Sequence, residues 1–116
     1  MFKKLRTVIY HVDDLQKAKE WYAEMTGIKP YFDEVFYVGF DINGFELGLD
    51  PDFEDVERGA QAVSYWAVDD IETCFKRFTN AGALSTSKIK EVGGGIKVAV
   101  VTDPWGNAVG LIEETN

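Results

Sequence analysis

Cysteine and histidine occur once each in this chain of 116 residues, proline three times, and basic residues are outnumbered by acidic ones, 12 against 20. A single cysteine, Cys74, excludes an intramolecular disulfide and a cysteine-rich zinc site. Its place in an apolar helical pattern suits a small core residue. His11 has no serine beside it in sequence, so no serine-histidine-aspartate arrangement can be assembled from the order of residues. No run of about 18 apolar residues exists, which excludes a membrane-spanning helix. The N-terminal Met-Phe-Lys-Lys-Leu-Arg is basic but runs straight into a strand-like segment, without the apolar stretch of a signal peptide, so the expected location is the cytoplasm. The net charge of −8 disfavours DNA and RNA, whose phosphates need a basic footprint, and anionic membrane surfaces. It permits a cationic ligand, although its first consequence is solubility.

What is present is enough for one packed domain. Hydrophobic residues make up 46% and charged residues 28%, a balance that builds a core and argues against disorder. The expected domain spans residues 1–116 and is built from two similar halves, about 1–55 and 60–116. Tyr10-His11-Val12-Asp13-Asp14-Leu15 is echoed by Trp66-Ala67-Val68-Asp69-Asp70-Ile71, valine to valine 68 − 12 = 56 residues apart. Each copy begins with a β-rich run, residues 5–12 and 62–68. Each run meets an aspartate followed three residues later by a capping-box partner: Asp13 by Gln16, and Asp69 by Glu72. The helices that follow carry apolar stripes, Leu15, Ala18, Trp21, Tyr22 and Met25 in one, Ile71, Cys74, Phe75 and Phe78 in the other. Gly27 and Gly82 fall where helices stop.

Short strands follow each helix. Residues 35–41 and 45–49 form a hairpin around Asn43-Gly44, a strong turn signal. In the second half, residues 96–102 and 107–113 flank Asp103-Pro104-Trp105-Gly106, and residues 88–92 lead into Gly93-Gly94-Gly95. Residues 50–61 read as the linker. The plan of each half is β-α-β-β-β, with a weakly marked strand near Tyr31. Two half-domains that each expose an apolar sheet face should pack together, giving an α+β fold of two βαβββ modules that forms a curved mixed sheet with a central cleft.

Val12-Asp13-Asp14-Leu15 followed by Trp21-Tyr22, its repeat Val68-Asp69-Asp70-Ile71, and the closing Thr102-Asp103-Pro104-Trp105-Gly106-Asn107 running into Gly110-Leu111-Ile112-Glu113 resemble the signatures of the glyoxalase, bleomycin-resistance and extradiol-dioxygenase superfamily. The resemblance spans nearly the whole chain. In members that use a metal, it implies four ligands on four inner strands. The matching positions here are Thr7, Glu46, Val63 and Gly110, with Gly48 as an alternative to Glu46 when the two halves are aligned. Threonine is a poor ligand, and valine and glycine offer no side-chain donor. Even with His11 added, too few donors remain for a zinc, nickel or iron site. The resemblance therefore implies the fold without a metal or other cofactor, and argues against metal-dependent glyoxalase I or extradiol dioxygenase activity.

Strand parity assigns the inner face. Thr7, Ile9 and His11 share one side of the first strand, Glu46 and Gly48 one side of the fourth, Val63, Tyr65 and Ala67 one side of the fifth, and Ala108 and Gly110 one side of the last. Val8, Tyr10, Trp66 and Val68 should meet the helices. His11 reads as a general base or ligand hydrogen-bonder, or more simply as a strand-end residue bonded to backbone. Glu46 reads as a buried carboxylate that grips a cation or acts as a base, or as a solvated edge charge. Tyr65 offers a hydroxyl to a ligand or fills the core, and Trp105 sits in a loop where an aromatic suits a ligand or dimer contact. Phe36, Tyr37, Phe40 and Phe45 add aromatic surface, most of it expected in the core, with Phe40 set among the ligand-contacting residues.

Three functions follow as expectations. The first is a metal-independent protein that binds a small organic ligand among Thr7, His11, Phe40, Glu46, Gly48, Tyr65, Trp105 and Gly110. The second is a metal-independent lyase or isomerase with Glu46 or His11 as catalytic base. The third is a regulatory or structural dimer with a vestigial cleft. The expected partners are a small-molecule ligand and, as the resemblance implies, a second copy of the chain in a homodimer. A carboxylate or imidazole buried on the inner face with a partner in hydrogen-bond reach would favour chemistry; an aromatic wall without such a pair would favour binding.

Overall fold

A computed structural model describes residues 1, 3–53 and 63–114. The chain divides into two compact units, Met1–Arg58 and Gly59–Asn116. In the first, β1 (Thr7–His11) leads to α1 (Leu15–Thr26), followed by β2 (Phe32–Glu34), β3 (Tyr37–Ile42) and β4 (Phe45–Asp50). The sheet order is β1-β4-β3-β2, with β1 parallel to β4 and the other pairs antiparallel. The second repeats the plan: β5 (Ser64–Ala67), α2 (Ile71–Asn80), β6 (Leu84–Glu91), β7 (Lys97–Thr102) and β8 (Ala108–Glu113), in the order β5-β8-β7-β6. Here too the first strand is parallel to the last. The fold is α+β with two βαβββ modules, as the sequence repeat predicts. Most of the expected linker, residues 54–61, and the first residue of the expected fifth strand, Ala62, lie outside the described residues. No described helix is long and apolar enough to cross a membrane.

Two-residue alternation sorts each sheet into a covered and an open face. In the first module Tyr10, Val38, Phe40, Leu47 and Leu49 are buried beneath α1, whose Ala18 and Tyr22 are buried in turn. The rings of Tyr10 and Tyr22 stack with centroids 5.7 Å apart. Each large apolar side chain buried in this way contributes roughly 1.5–3 kcal/mol. In the second module Ala99, Val101, Val109 and Leu111 are buried with Ile71 and Phe78 of α2. The strand parity read from sequence holds: the register places Thr7, Ile9 and His11 opposite Glu46, Gly48 and Asp50, and Tyr65 opposite Gly110. The internal repeat also reaches this level of detail. Ile9 and Tyr65 are equivalent by the 56-residue offset, and each pairs with a glycine of its module's last strand.

The helix caps lie one residue later than the sequence pattern predicts. Asp14, not Asp13, accepts the Lys17 amide at 3.1 Å, and Asp70, not Asp69, accepts the Thr73 amide at 3.2 Å. Both capping residues have extended backbone, as an N-cap requires. The proposed box partners are then out of position: Gln16 bonds Glu20 one turn along the helix, and Glu72 pairs with Lys97. Gly27 does end α1, with φ of 71° and its amide on the Ala23 carbonyl.

The turns follow their sequence signals. Asn43 and Gly44 both adopt positive φ, and Asp41 Oδ1 accepts the Gly44 amide at 2.8 Å. Asp103 is 2% exposed and organises the closing loop: its Oδ1 accepts the amides of Trp105 and Asn107 at 2.9 and 2.8 Å, and the Asn107 side chain donates to both of its oxygens. That explains why the loop opens on an aspartate.

Candidate functional site

On the open face of the first sheet, Glu46 is the centre of a hydroxyl network. β4 lies between β1 and β3, so Glu46 is flanked by a residue of each. Thr7, its partner in β1, donates Oγ1–H to Glu46 Oε1 at 3.0 Å. Tyr37, from β3, donates its phenol to the same oxygen at 2.9 Å. Tyr31, just before β2, donates to Oε2. Arg6 donates to Thr7 Oγ1 at 2.8 Å and stands 3.7 Å from Oε1. The Glu46 side chain is left 12% exposed.

Two glycines make this arrangement possible. A Cβ on Gly48 would stand 1.9 Å from the Tyr37 hydroxyl oxygen, and one on Gly39 would stand 2.7 Å from Glu46 Oε2 and 3.1 Å from the Tyr31 ring. The Tyr37 hydroxyl and the edge of the Tyr31 ring thus occupy space above Gly48 and Gly39 that a side chain would otherwise fill. A shallow concavity of about 210 Å³ adjoins the network, lined by Tyr31, Phe45, Asp41, Lys4, Arg6 and Glu46. Phe32 and Phe36 continue the aromatic surface beside Tyr37, with ring centroids 6.0 Å apart for Phe32–Phe36 and 6.2 Å for Phe32–Tyr37.

The electrostatics are set by competition between burial and hydrogen bonding. Burial alone would push the Glu46 carboxyl up, but the hydroxyls of Tyr31, Tyr37 and Thr7, together with Arg6, outweigh it and hold the group below the ordinary glutamate value. The phenols move the other way. Burial and the bond to Glu46 push Tyr37 well up, and the bond to Glu46 raises Tyr31. At neutral pH the site is therefore a fixed carboxylate held by three neutral hydroxyls.

The remaining expected site residues are distributed unevenly. His11 lies on the same open face, but its Nδ1 bonds the Asp52 carbonyl at 2.8 Å and its ring leans on Phe53. A carbonyl only accepts, so Nδ1 carries the proton. Four residues separate His11 from Thr7, which places it roughly 13 Å along the strand from the Glu46 pairing position. His11 and Glu46 do not converge on one atom. Phe40 is a correction: it pairs with Leu47 on the covered face and is 0% exposed, so it is a core residue rather than a ligand contact. Phe36 and Phe45 are corrected in the opposite sense, being exposed rather than core. In the second module, Tyr65 is half-exposed and lies against Gly110, while Trp105 is half-buried with its amide on Asp103. The sequence reading missed Tyr31, Gly39 and Arg6, and treated Tyr37 as core. Parity within β3 would have put Tyr37 and Gly39 on the Glu46 face, whereas Tyr31 precedes a three-residue strand that leaves little pattern.

The glyoxalase/bleomycin resistance protein/dioxygenase superfamily model matches residues 4–111. The chain belongs to that superfamily. No curated protein matches the sequence. Among solved structures, a glyoxalase/bleomycin resistance protein/dioxygenase family enzyme from Burkholderia phytofirmans PsJN superposes with a TM-score of 0.82 at 16% identity, covering 97% of this chain and 100% of that one. A glyoxalase-related enzyme from Fulvimarina pelagi gives 0.78 at 17% identity, covering 97% and 89%. A lactoylglutathione lyase from Agrobacterium tumefaciens gives 0.74 at 19% identity, covering 95% and 92%. At these identities the likeness establishes a shared fold and leaves the chemistry to the residues of the site.

Those residues do not fit the metal that some superfamily members hold. Thr7 directs its hydroxyl proton at Glu46, and both Glu46 oxygens accept hydroxyl protons. Val63 has no donor atom. Gly110 has no side chain and no room for one: a Cβ there would stand 2.6 Å from Tyr65 Cδ1 and 2.7 Å from the Ser64 carbonyl oxygen. One carboxylate is too few donors for a tight transition-metal site. Elsewhere, Asp70, Glu72 and Glu113 bring carboxylate oxygens within 4.8 Å of one another. Each has a structural task at the start of α2. Asp70 caps the helix, Glu113 accepts the Ile71 amide at 2.8 Å, and Glu72 pairs with Lys97 at 3.1 Å.

Proposed function

We propose that the protein is a metal-independent binding member of the superfamily, which takes a small organic ligand on the open face of the first sheet around Glu46. The observation that carries this reading is the set of three hydroxyls, of Thr7, Tyr37 and Tyr31, that donate to the Glu46 carboxylate. A carboxylate with hydrogen-bonded partners is the feature that would favour chemistry, but the three donors here stabilise the anion and so make it a poorer proton acceptor. The group is held ionised below its ordinary pKa, whereas a general base works best with a pKa near the operating pH. Glu46 is thus a weak base and a good fixed charge. His11, roughly 13 Å along the strand and bonded to backbone, supplies no second catalytic group at the same point. The aromatic surface of Tyr31, Phe32, Phe36, Tyr37 and Phe45 gives a ligand apolar area to cover beside that charge.

A thermal-shift screen of metabolites and aromatic amines, followed by amide chemical-shift mapping, tests the proposal. A ligand that binds only the folded state at 100 times its Kd adds about 2.7 kcal/mol of stability and raises the melting temperature by several degrees. The expected shifts fall on β1, β3 and β4, while added zinc, nickel, manganese or ferrous ion leaves the melting temperature unchanged. One tightly bound transition metal per chain, or a ligand that converts to product, would overturn the proposal. A homodimer in the cytoplasm completes it. Light scattering would check the dimer, and fractionation the compartment.

A further inference from the structure

The two oxygens of Glu46 are held in different ways. Oε1 is gripped by Thr7 and Tyr37, which sit in the two strands flanking β4 and are fixed by its ladders. Arg6 stands on that side as well. Oε2 is held by Tyr31, which is 59% exposed and precedes the three-residue edge strand β2. The Tyr31 backbone is anchored, its amide donating to the Gly39 carbonyl at 2.9 Å, so rotation about the side-chain bonds alone would lift the phenol away. The ring rests over Gly39 and forms a wall of the concavity of about 210 Å³, which Lys4, Arg6, Asp41, Phe45 and Glu46 also line.

Building on the binding function proposed above, we infer that Tyr31 is the exchangeable partner of Glu46, and that the ligand is an organic cation with an N–H donor beside an aromatic ring, which takes over Oε2 as the phenol swings out. The exchange has a direction for a physical reason. A neutral donor would replace one neutral hydroxyl by another and gain nothing. A cationic N–H makes a charge-assisted bond to the carboxylate, roughly twice as strong as a neutral pair. Asp41, across β3–β4 from Glu46, adds a second negative charge that offsets Lys4 and Arg6 in the same lining, and the Phe45 ring gives the cation an aromatic face. Thr7 and Tyr37 stay in place and keep Glu46 ionised throughout.

Titration of the full chain with benzamidinium and, in parallel, neutral benzamide, followed by amide chemical shifts in wild type and Tyr31→Phe, tests the exchange. The variant keeps the ring at an exposed position and loses only the competing hydroxyl. Benzamidinium should shift the Gly39 and Gly48 amides and bind more tightly than benzamide. Tyr31→Phe should tighten benzamidinium binding about fivefold, the worth of one hydrogen bond no longer displaced. Unchanged or weaker binding in Tyr31→Phe, with Gly39 and Gly48 still shifting, would overturn the exchange while leaving a binding site at Glu46. Equal affinity for benzamide would overturn the requirement for a cation. Absence of shifts in both proteins at millimolar benzamidinium would overturn the inference, and the broader screen above would then decide separately whether the face binds other ligands.

Discussion

Thr7 and Glu46 face each other across the parallel β1–β4 pair, and the threonine hydroxyl donates to the glutamate at 3.0 Å. The threonine thereby solvates the acid. With Tyr37 and Tyr31 donating as well, three hydroxyl protons surround the carboxylate and make it a hydrogen-bonded anion on the open face of the first sheet.

Thr7→Val preserves shape and removes that donor. The Glu46 carboxylate would lose one of its three hydroxyl partners, and the expected cost is about 1–3 kcal/mol, the range for leaving a charged acceptor short of a bond. Tyr37→Phe should cost a similar amount. Because both donate to Oε1, the double variant should depart from the sum of the two single effects. Urea unfolding of the four proteins measures the coupling, and strict additivity would mean that the hydroxyls act independently.

Acid should weaken the network in a defined window. The folded value of Glu46 lies below its ordinary value of 4.5, so its contribution is present above that pH and is lost as pH falls through the folded value. Tyr31 and Tyr37 are raised above 10.0, so their contribution is complete below that pH and fades as pH rises beyond it. The urea midpoint of wild type should therefore exceed that of Glu46→Gln by a constant margin around neutrality, with the margin shrinking in acid. A margin that grows below the ordinary glutamate value would show that burial, rather than hydroxyl donation, dominates.

Much of this was legible in the sequence. The repeat around Val12 and Val68 marks the two modules, and alternation marks the open face of each sheet, with Thr7, His11, Glu46 and Gly48 on the first and Tyr65 on the second. Phe40 belongs to the covered face by the same alternation, one residue from both Gly39 and Asp41 and paired with Leu47. Adjacent aspartates, Asp13-Asp14 and Asp69-Asp70, offer two cap registers, and the local pattern cannot choose between them. Packing chooses: helices that start at Leu15 and Ile71 bring Tyr22 and Phe78 onto the sheet. Tyr31 was beyond reach because its role depends on Gly39, a neighbour across the β2–β3 pair whose missing side chain is its only mark.

Gly48 and Gly110, on the open faces of their own sheets, should be intolerant for different reasons. At Gly48 the obstacle to a Cβ is the Tyr37 side chain, which can swing out at the loss of its bond to Glu46. At Gly110 the obstacle includes the Ser64 carbonyl at 2.7 Å, and backbone cannot rotate away. Overpacking of this kind costs about 1–3 kcal/mol. Gly110→Ala should lie at the upper end and Gly48→Ala at the lower. Gly48→Ala should also move the Glu46 carboxyl toward its ordinary value, as read from its carbon chemical shift against pH, and Gly110→Ala should leave that value alone.

The cap assignment can be separated from its neighbour in sequence. Asp14 and Asp70 each accept an amide three residues ahead, so replacing either by alanine should cost about 0.5–2 kcal/mol. Asp13 and Asp69 are exposed, and no helix amide is assigned to them, so their alanine variants should stay within about 0.5 kcal/mol of wild type. Asp70→Ala should have one further effect. The Thr73 amide and hydroxyl, helped by the charge of Lys97, hold the Asp70 carboxyl below its ordinary value even with Glu72 and Glu113 close by. The measured loss at Asp70 should therefore shrink as added salt screens Lys97. Chemical denaturation of the four variants at two ionic strengths tests both statements, and an Asp13→Ala loss as large as that of Asp14→Ala would restore the earlier register.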